Sequence, residues 1–129
     1  MKRIKSIYVV EDDPISSYVI KLALQQHPSF EDSLEFKNGK EAVDYLAQHA
    51  IKGQAPGLIL LDINMPVLDG WGFLDNFSGL QIKADIPVVM LTSSINPEDI
   101  AKAKSHELVK GYLSKPLNKA KLDEILTFL

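Results

Sequence analysis

The sequence predicts one α/β domain in which a parallel sheet of five strands carries five helices on its two faces. Apolar runs without polar alternation recur at 6–10, 58–61, 87–91 and 109–113, as strands buried on both faces require. Stretches of helical period separate these runs, and alternating strand and helix segments imply parallel pairing. Reactive side chains then fall at the carboxyl ends of the runs, where open α/β sheets hold their ligands. They are Glu11 and Asp12 after the first, Asp62 after the third, Thr92 after the fourth and Lys115 after the fifth.

In chain order, Ile7-Tyr8-Val9-Val10 is a strand stopped by Glu11, Asp12 and Asp13. The basic start Met1-Lys2-Arg3 looks like the head of an export signal, but the apolar run behind it is too short for one. Asp13 can cap a helix with Pro14 in its first position, and Ile15, Tyr18, Val19 and Leu22 fall at i, i+3, i+4 and i+7 as its apolar stripe. Ile20 and Leu24 lie about opposite that stripe. Residues 33–37 make a weaker strand. Asn38 with Glu41 three residues later resembles a capping box, and Ala42, Val43, Leu46 and Ala50 make the stripe of a second helix.

Leu58-Ile59-Leu60-Leu61 is closed by Asp62, and Ile63-Asn64-Met65-Pro66 leads into a turn ending at Asp69-Gly70. Asp69 can cap a short third helix through Trp71, Phe73, Leu74 and Phe77, which Ser78-Gly79 stops. A loop over about 78–86 precedes the fourth strand. Asn96-Pro97-Glu98-Asp99 starts a fourth helix near 97–106, which offers the core little beyond Ile100, Ala101 and Ala103 and should be loosely held. Asn118 caps the last helix, with Leu122, Ile125, Leu126 and Leu129 on one face.

Composition narrows the classes. A chain of 129 residues suits a single domain over 1–129, with no linker and no output domain expected. The net charge of -3 and the scattered Lys and Arg give no basic stripe for nucleic acid. Zero Cys removes disulfides, thiolate metal sites and cysteine nucleophiles. No apolar run is long enough to cross a bilayer, so a cytoplasmic protein is expected. His27 and His106 look like helix-end residues suited to the dipole, and no histidine site is proposed.

Glu11-Asp12, Asp62, Thr92 and Lys115-Pro116, in that order at strand ends, resemble the receiver domain of two-component response regulators. The resemblance covers essentially the whole chain and implies a flavodoxin-like, doubly wound sheet in the order 2-1-3-4-5. It further implies that Asp62 is the phosphoacceptor and that Asp12, Asp62 and the backbone carbonyl of Asn64 bind Mg2+, with Glu11 acting through water. In the family pattern Thr92 and Tyr112 form the switch, and Asn64 and Ser94 tune hydrolysis. The implied phosphoryl donor is a histidine kinase or a histidine phosphotransfer protein. Signalling would pass to an effector protein through the face of the fourth helix, the fifth strand and the last helix. Ile20 and Leu24 would either meet the kinase or phosphotransfer helices or pack against the last helix, on Phe128.

Elementary electrostatics asks for the same residue types. A carboxylate is a poor nucleophile toward an anionic phosphoryl group, and further carboxylates worsen the approach. A divalent cation with hard-oxygen ligands reverses that sign, an ammonium at Lys115 neutralises a phosphoryl oxygen, and the Thr92 hydroxyl bonds another. Without a phosphoryl oxygen, Thr92 has less reason to point inward.

Three rivals share parts of this inventory. A haloacid-dehalogenase-like phosphatase opens on Asp-x-Asp and ends on its acid pair, whereas here the acid pair comes first and Asn64 stands at the second Asp. A receiver-like interaction module that no longer takes phosphate usually loses part of the set that this chain keeps. A flavodoxin-like cofactor binder needs Ser, Thr and Gly after the first strand, where this chain places acids.

Overall fold

The computed structural model describes residues 3–80 and 85–129; Met1, Lys2 and residues 81–84 of the expected 78–86 loop lie outside the described residues. The order is β1 (Ile4–Val10), α1 (Pro14–Gln25), β2 (Phe30–Phe36), α2 (Gly39–His49), β3 (Leu58–Leu61), α3 (Gly70–Ser78), β4 (Val88–Thr92), α4 (Pro97–Ser105), β5 (Val109–Ser114) and α5 (Lys119–Phe128). All strand pairs are parallel, and the sheet runs β2-β1-β3-β4-β5. One short 3-10 turn, Ala50–Lys52, was not foreseen; Gly53 ends it at φ 80, a left-handed conformation that glycine adopts without strain.

Side-chain alternation divides the core in two. Ile7, Val9, Leu58, Leu60, Val89, Leu91 and Leu113 face α1 and α5. Tyr8, Val10, Ile59, Leu61, Val88 and Met90 face Ala42 and Leu46 of α2 and Phe73 and Leu74 of α3. Each of the five helices starts on a side-chain cap, from Asp13, Asn38, Asp69, Asn96 and Asn118, as the sequence predicts.

The orientation of α1 corrects the sequence reading. Ile20 and Leu24 are buried, at 3% and 1% exposure, in the cluster with Leu122 and Ile125 of α5, and Phe128 packs against that cluster. The expected core stripe faces outward: Ile15 is 75% and Tyr18 62% exposed, and Val19 and Leu22 are exposed too. The inward stripe is Ser16, Ser17, Ile20, Ala23 and Leu24, and its small and polar members hid its period. Ile20 and Leu24 are therefore unavailable to a partner.

Other elements follow from local chemistry. In α4 only Ala103 is buried, with Ile100 half-buried and Ala101 exposed, so this helix is weakly anchored. His27 sits at the end of α1, as expected, and is also a buried cross-link: Nε2 lies 2.8 Å from Asp123 of α5, and Nδ1 accepts from the Ser29 N–H at 3.1 Å. His106 caps the end of α4 and accepts from the Leu108 N–H. Edge strand β2 carries Glu31, Asp32 and Glu35, with Arg3 paired to Glu31 and Lys21 at 4.0 Å from Glu35. Among the described residues, no helix is long and apolar enough to cross a membrane.

The two faces of α1 should separate in equilibrium urea unfolding. Leu24→Ala is expected to cost about 2–5 kcal/mol, through lost burial and a cavity. Tyr18→Ala is expected to stay within about 0.5 kcal/mol of the native chain.

Candidate functional site

Strand register brings the reactive residues together. Val10 pairs with Leu61, so Glu11 and Asp62 leave adjacent strands side by side. The Asp62 N–H donates to the Val10 carbonyl at 3.1 Å, and the Glu11 N–H to that of Phe36 at 2.9 Å, so pairing continues past the strand ends. Thr92 pairs with Ser114, and the Lys115 N–H donates to the Thr92 carbonyl at 3.0 Å, which sets Lys115 at the same edge. The Lys115-Pro116 peptide is cis.

Carboxylate oxygens of Glu11, Asp12 and Asp62 lie within 4.8 Å of one another, with Glu11 and Asp62 buried and Asp12 exposed. Lys115 reaches into this cluster. Its Nζ donates to Glu11 Oε1 and, at 3.2 Å, to Asp62 Oδ2. Asp62 Oδ1 accepts from the Ile63 N–H at 2.8 Å. Glu11 is held from α1 as well, by the Ser16 hydroxyl at 2.7 Å and the Asp13 N–H at 3.2 Å. Asp13 also caps α1 through the Ile15 N–H.

Burial pushes the Glu11 carboxyl above its ordinary range, against the lowering effect of Lys115, Ser16 and Asp13 and with the Asp62 charge adding to the rise. Burial pulls the Lys115 ammonium down, but the bond to Glu11 and the Asp62 and Glu11 charges outweigh it and leave it raised. Burial, with the Asp99 and Asp62 charges, also raises the Tyr112 phenol, against the bond to Ser94.

The turn after Asp62 is tight. The Leu68 N–H donates to the Pro66 carbonyl at 2.7 Å across Val67, whose φ of 69 is costly for a β-branched residue. Gly70 follows because a Cβ there would meet the Asp62 carbonyl oxygen at 2.5 Å and Ile63 Cα at 2.9 Å. Asn64 is exposed at the mouth.

Thr92 is fully buried, and its Oγ1 accepts from the Ser94 N–H at 3.3 Å. Ser94 is thus a partner of the Thr92 hydroxyl that the sequence did not reveal. Tyr112 is half-buried and donates to the Ser94 carbonyl at 2.9 Å. Ser16 and Asp99 were missed as site neighbours: Ser16 sits at an inward helical position, and Asp99 was read only as part of a helix start.

Side by side at one sheet edge, these acids, the hydroxyl and the ammonium define a class. The chain belongs to the response regulator receiver domain family, whose profile matches residues 7–127. Its fold is the flavodoxin-like one that the resemblance implies. It is 35% identical over 114 residues to the probable methanogenesis regulatory protein FilR2 of Methanothrix harundinacea, covering 87% of this chain and 72% of that one. It is 33% identical over 117 residues to the response regulator Rcp1 of Synechocystis, covering 88% and 78%. A two-component response regulator from Cytophaga hutchinsonii superposes with a TM-score of 0.90 at 30% identity, over 98% of this chain and 96% of that one.

Replacing Lys115 by Met leaves two buried carboxylates without their cation and should cost about 2 kcal/mol at pH 7 in chelator-treated buffer. A carboxyl whose folded pKa is raised contributes stability that is full at low pH and is lost as pH rises through that pKa. Removing Lys115 raises Glu11 further, so the deficit should shrink as pH falls from about 7 to about 4.5. Urea unfolding at both pH values checks the sign.

Proposed function

We propose that the chain accepts a phosphoryl group on Asp62 from a phosphohistidine of a histidine kinase or phosphotransfer protein, in the presence of Mg2+. The observation that carries this reading is the Lys115 ammonium lodged between Glu11 and Asp62 in a cluster of three carboxylates. That cluster needs positive charge, and its donors are the hard oxygens that suit Mg2+. Asp12, Asp62 and the Asn64 carbonyl would hold the ion, with Glu11 acting through water. When bound, the ion supplies charge neutralisation between the carboxylates and the incoming anion.

In transfer, an Asp62 carboxylate oxygen forms a bond to phosphorus while the bond from phosphorus to the histidine nitrogen breaks. The imidazole leaves with the electron pair, ready to take a proton from solvent. Lys115 turns from the acids to a phosphoryl oxygen, and Thr92 donates its hydroxyl proton to another. Ser16 and the Asp13 N–H keep Glu11 oriented once Lys115 has moved. In hydrolysis, water attacks phosphorus, the bond to Asp62 breaks and phosphate leaves, which restores the carboxylate. Asn64 at the mouth and Ser94 beside Thr92 set that rate.

The donor docks on the outward face of α1, where Ile15, Tyr18, Val19 and Leu22 expose a continuous apolar stripe next to the acid cluster. Such a stripe suits a helical surface that presents its phosphohistidine over Asp62. On the output side, α4, β5 and α5 form the face that changes with phosphorylation, either signalling to an effector protein or serving a relay. The weak anchoring of α4 supports this assignment.

With acetyl phosphate and Mg2+, acid-labile label should enter the native chain and not Asp62→Asn, and chelation should abolish it; label in Asp62→Asn would defeat the assignment. Tyr18→Ala combined with Leu22→Ala should slow transfer from a phosphohistidine donor about tenfold, while acetyl phosphate labelling stays at the native rate. An unchanged transfer rate places the donor elsewhere.

A further inference from the structure

Lys115 stands between exposed Ser114 and Pro116, and the nearest buried anchors are Leu113 and Leu117, two residues to either side. Apolar packing therefore does not fix the backbone from which this ammonium projects. A second lysine supplies the hold. Lys121 Nζ donates to the Ser114 carbonyl at 2.5 Å and to the Pro116 carbonyl at 3.0 Å, with Ser114 Oγ at 3.4 Å. The peptide joining Ser114 to Lys115 is planar and trans, so its carbonyl and its N–H point to opposite sides. Lys121 holds the carbonyl from one side, and Thr92 holds the N–H from the other at 3.0 Å. Lys121 is the third residue of α5, where the positive end of the helix dipole disfavours a cation. Its own N–H donates to the Asn118 cap at 2.9 Å, while its side chain runs back to the loop. The loop oxygens compensate a charge that the helix itself does not favour.

We propose that Lys121 is a positioning residue for phosphoryl transfer, clamping the chain on both sides of Lys115 so that only the Lys115 side chain moves between the acids and the entering anion. The inference rests on the phosphoacceptor reading above. In that reading Lys115 leaves Glu11 and Asp62 to meet a phosphoryl oxygen. A backbone that shifted with it would spread the ammonium over many positions, few of them productive. Clamped at Ser114 and Pro116, the stem swings from a fixed Cα. The bonds of Lys121 go to the loop and to none of the acids, so it acts through Lys115.

Lys121→Met keeps the stem and removes the donors, whereas Lys121→Arg keeps both charge and donors. Amide hydrogen exchange tests the clamp without any phosphorylation. The Lys115 N–H should exchange about tenfold faster in Lys121→Met and at the native rate in Lys121→Arg. The Leu122 N–H, which donates to the Asn118 carbonyl, should keep its native rate in both. Equally faster exchange at Leu122 makes Lys121 a helix residue only and overturns the clamp. With acetyl phosphate and Mg2+, the initial rate of acid-labile labelling should fall about fivefold in Lys121→Met and return in Lys121→Arg. That deficit should be the same at about 0.05 M and about 0.5 M salt. A deficit that vanishes in high salt marks long-range attraction of the anion and overturns positioning. An unchanged Lys115 exchange rate, or faster exchange with native labelling, overturns it too. No label in the native chain removes the acceptor reading and this role with it, while the exchange rates still report the clamp.

Discussion

The Lys115 ammonium between Glu11 and Asp62 is the interaction on which the rest depends. Two buried carboxylates on neighbouring strands repel each other and pay a desolvation cost that the apolar runs behind them cannot offset by packing. A cation at the far end of β5 makes that arrangement tolerable, and it does so only if β1, β3 and β5 end at the same edge. The parallel register delivers that alignment. The same ammonium is the cation that the proposed phosphoryl transfer would turn toward the entering anion.

Much of this was legible in the residues. Unbroken apolar runs marked both-face burial, and the caps at Asp13, Asn38, Asp69, Asn96 and Asn118 placed every helix start, because capping is local chemistry read over three or four residues. The gathering of Glu11, Asp12, Asp62, Thr92 and Lys115 at one edge was legible because each stands at or just after the end of an apolar run. The facing of α1 was not. Both its sides are apolar, and the inward side is broken by Ser16 and Ser17, whose value lies in close approach and in a bond to Glu11. Periodicity sees hydrophobicity but not that kind of partnership. His27 illustrates the same limit, since its partner Asp123 is 96 residues away in sequence. Asp99 is another case, tied to Trp71 across 28 residues.

Stability is distributed unevenly in a way that matches the chemistry. Leu58 to Leu61 are buried almost completely, and the strand that presents Asp62 cannot shift without disturbing both halves of the core. At the other extreme, α4 has one buried residue, and Asp99 adds a polar tie to Ser94. Hydrogen bonds of this kind contribute only about 1 kcal/mol each in net terms, so α4 is held much less firmly than β3. The strand that presents Asp62 is the firm part of the fold, and α4 is the soft one.

The acidic border of the sheet has a consequence for assembly. A bare strand edge is a template on which another strand can add, and repeated addition builds fibres. Along β2, Glu31, Asp32 and Glu35 would face their own counterparts in a matching copy, negative against negative, with Arg3 and Lys21 already engaged. That acidic margin disfavours sheet extension. Of the two sheet edges, the one at β2 is thus the less inviting to an added strand, which leaves the face beside β5 as the freer one.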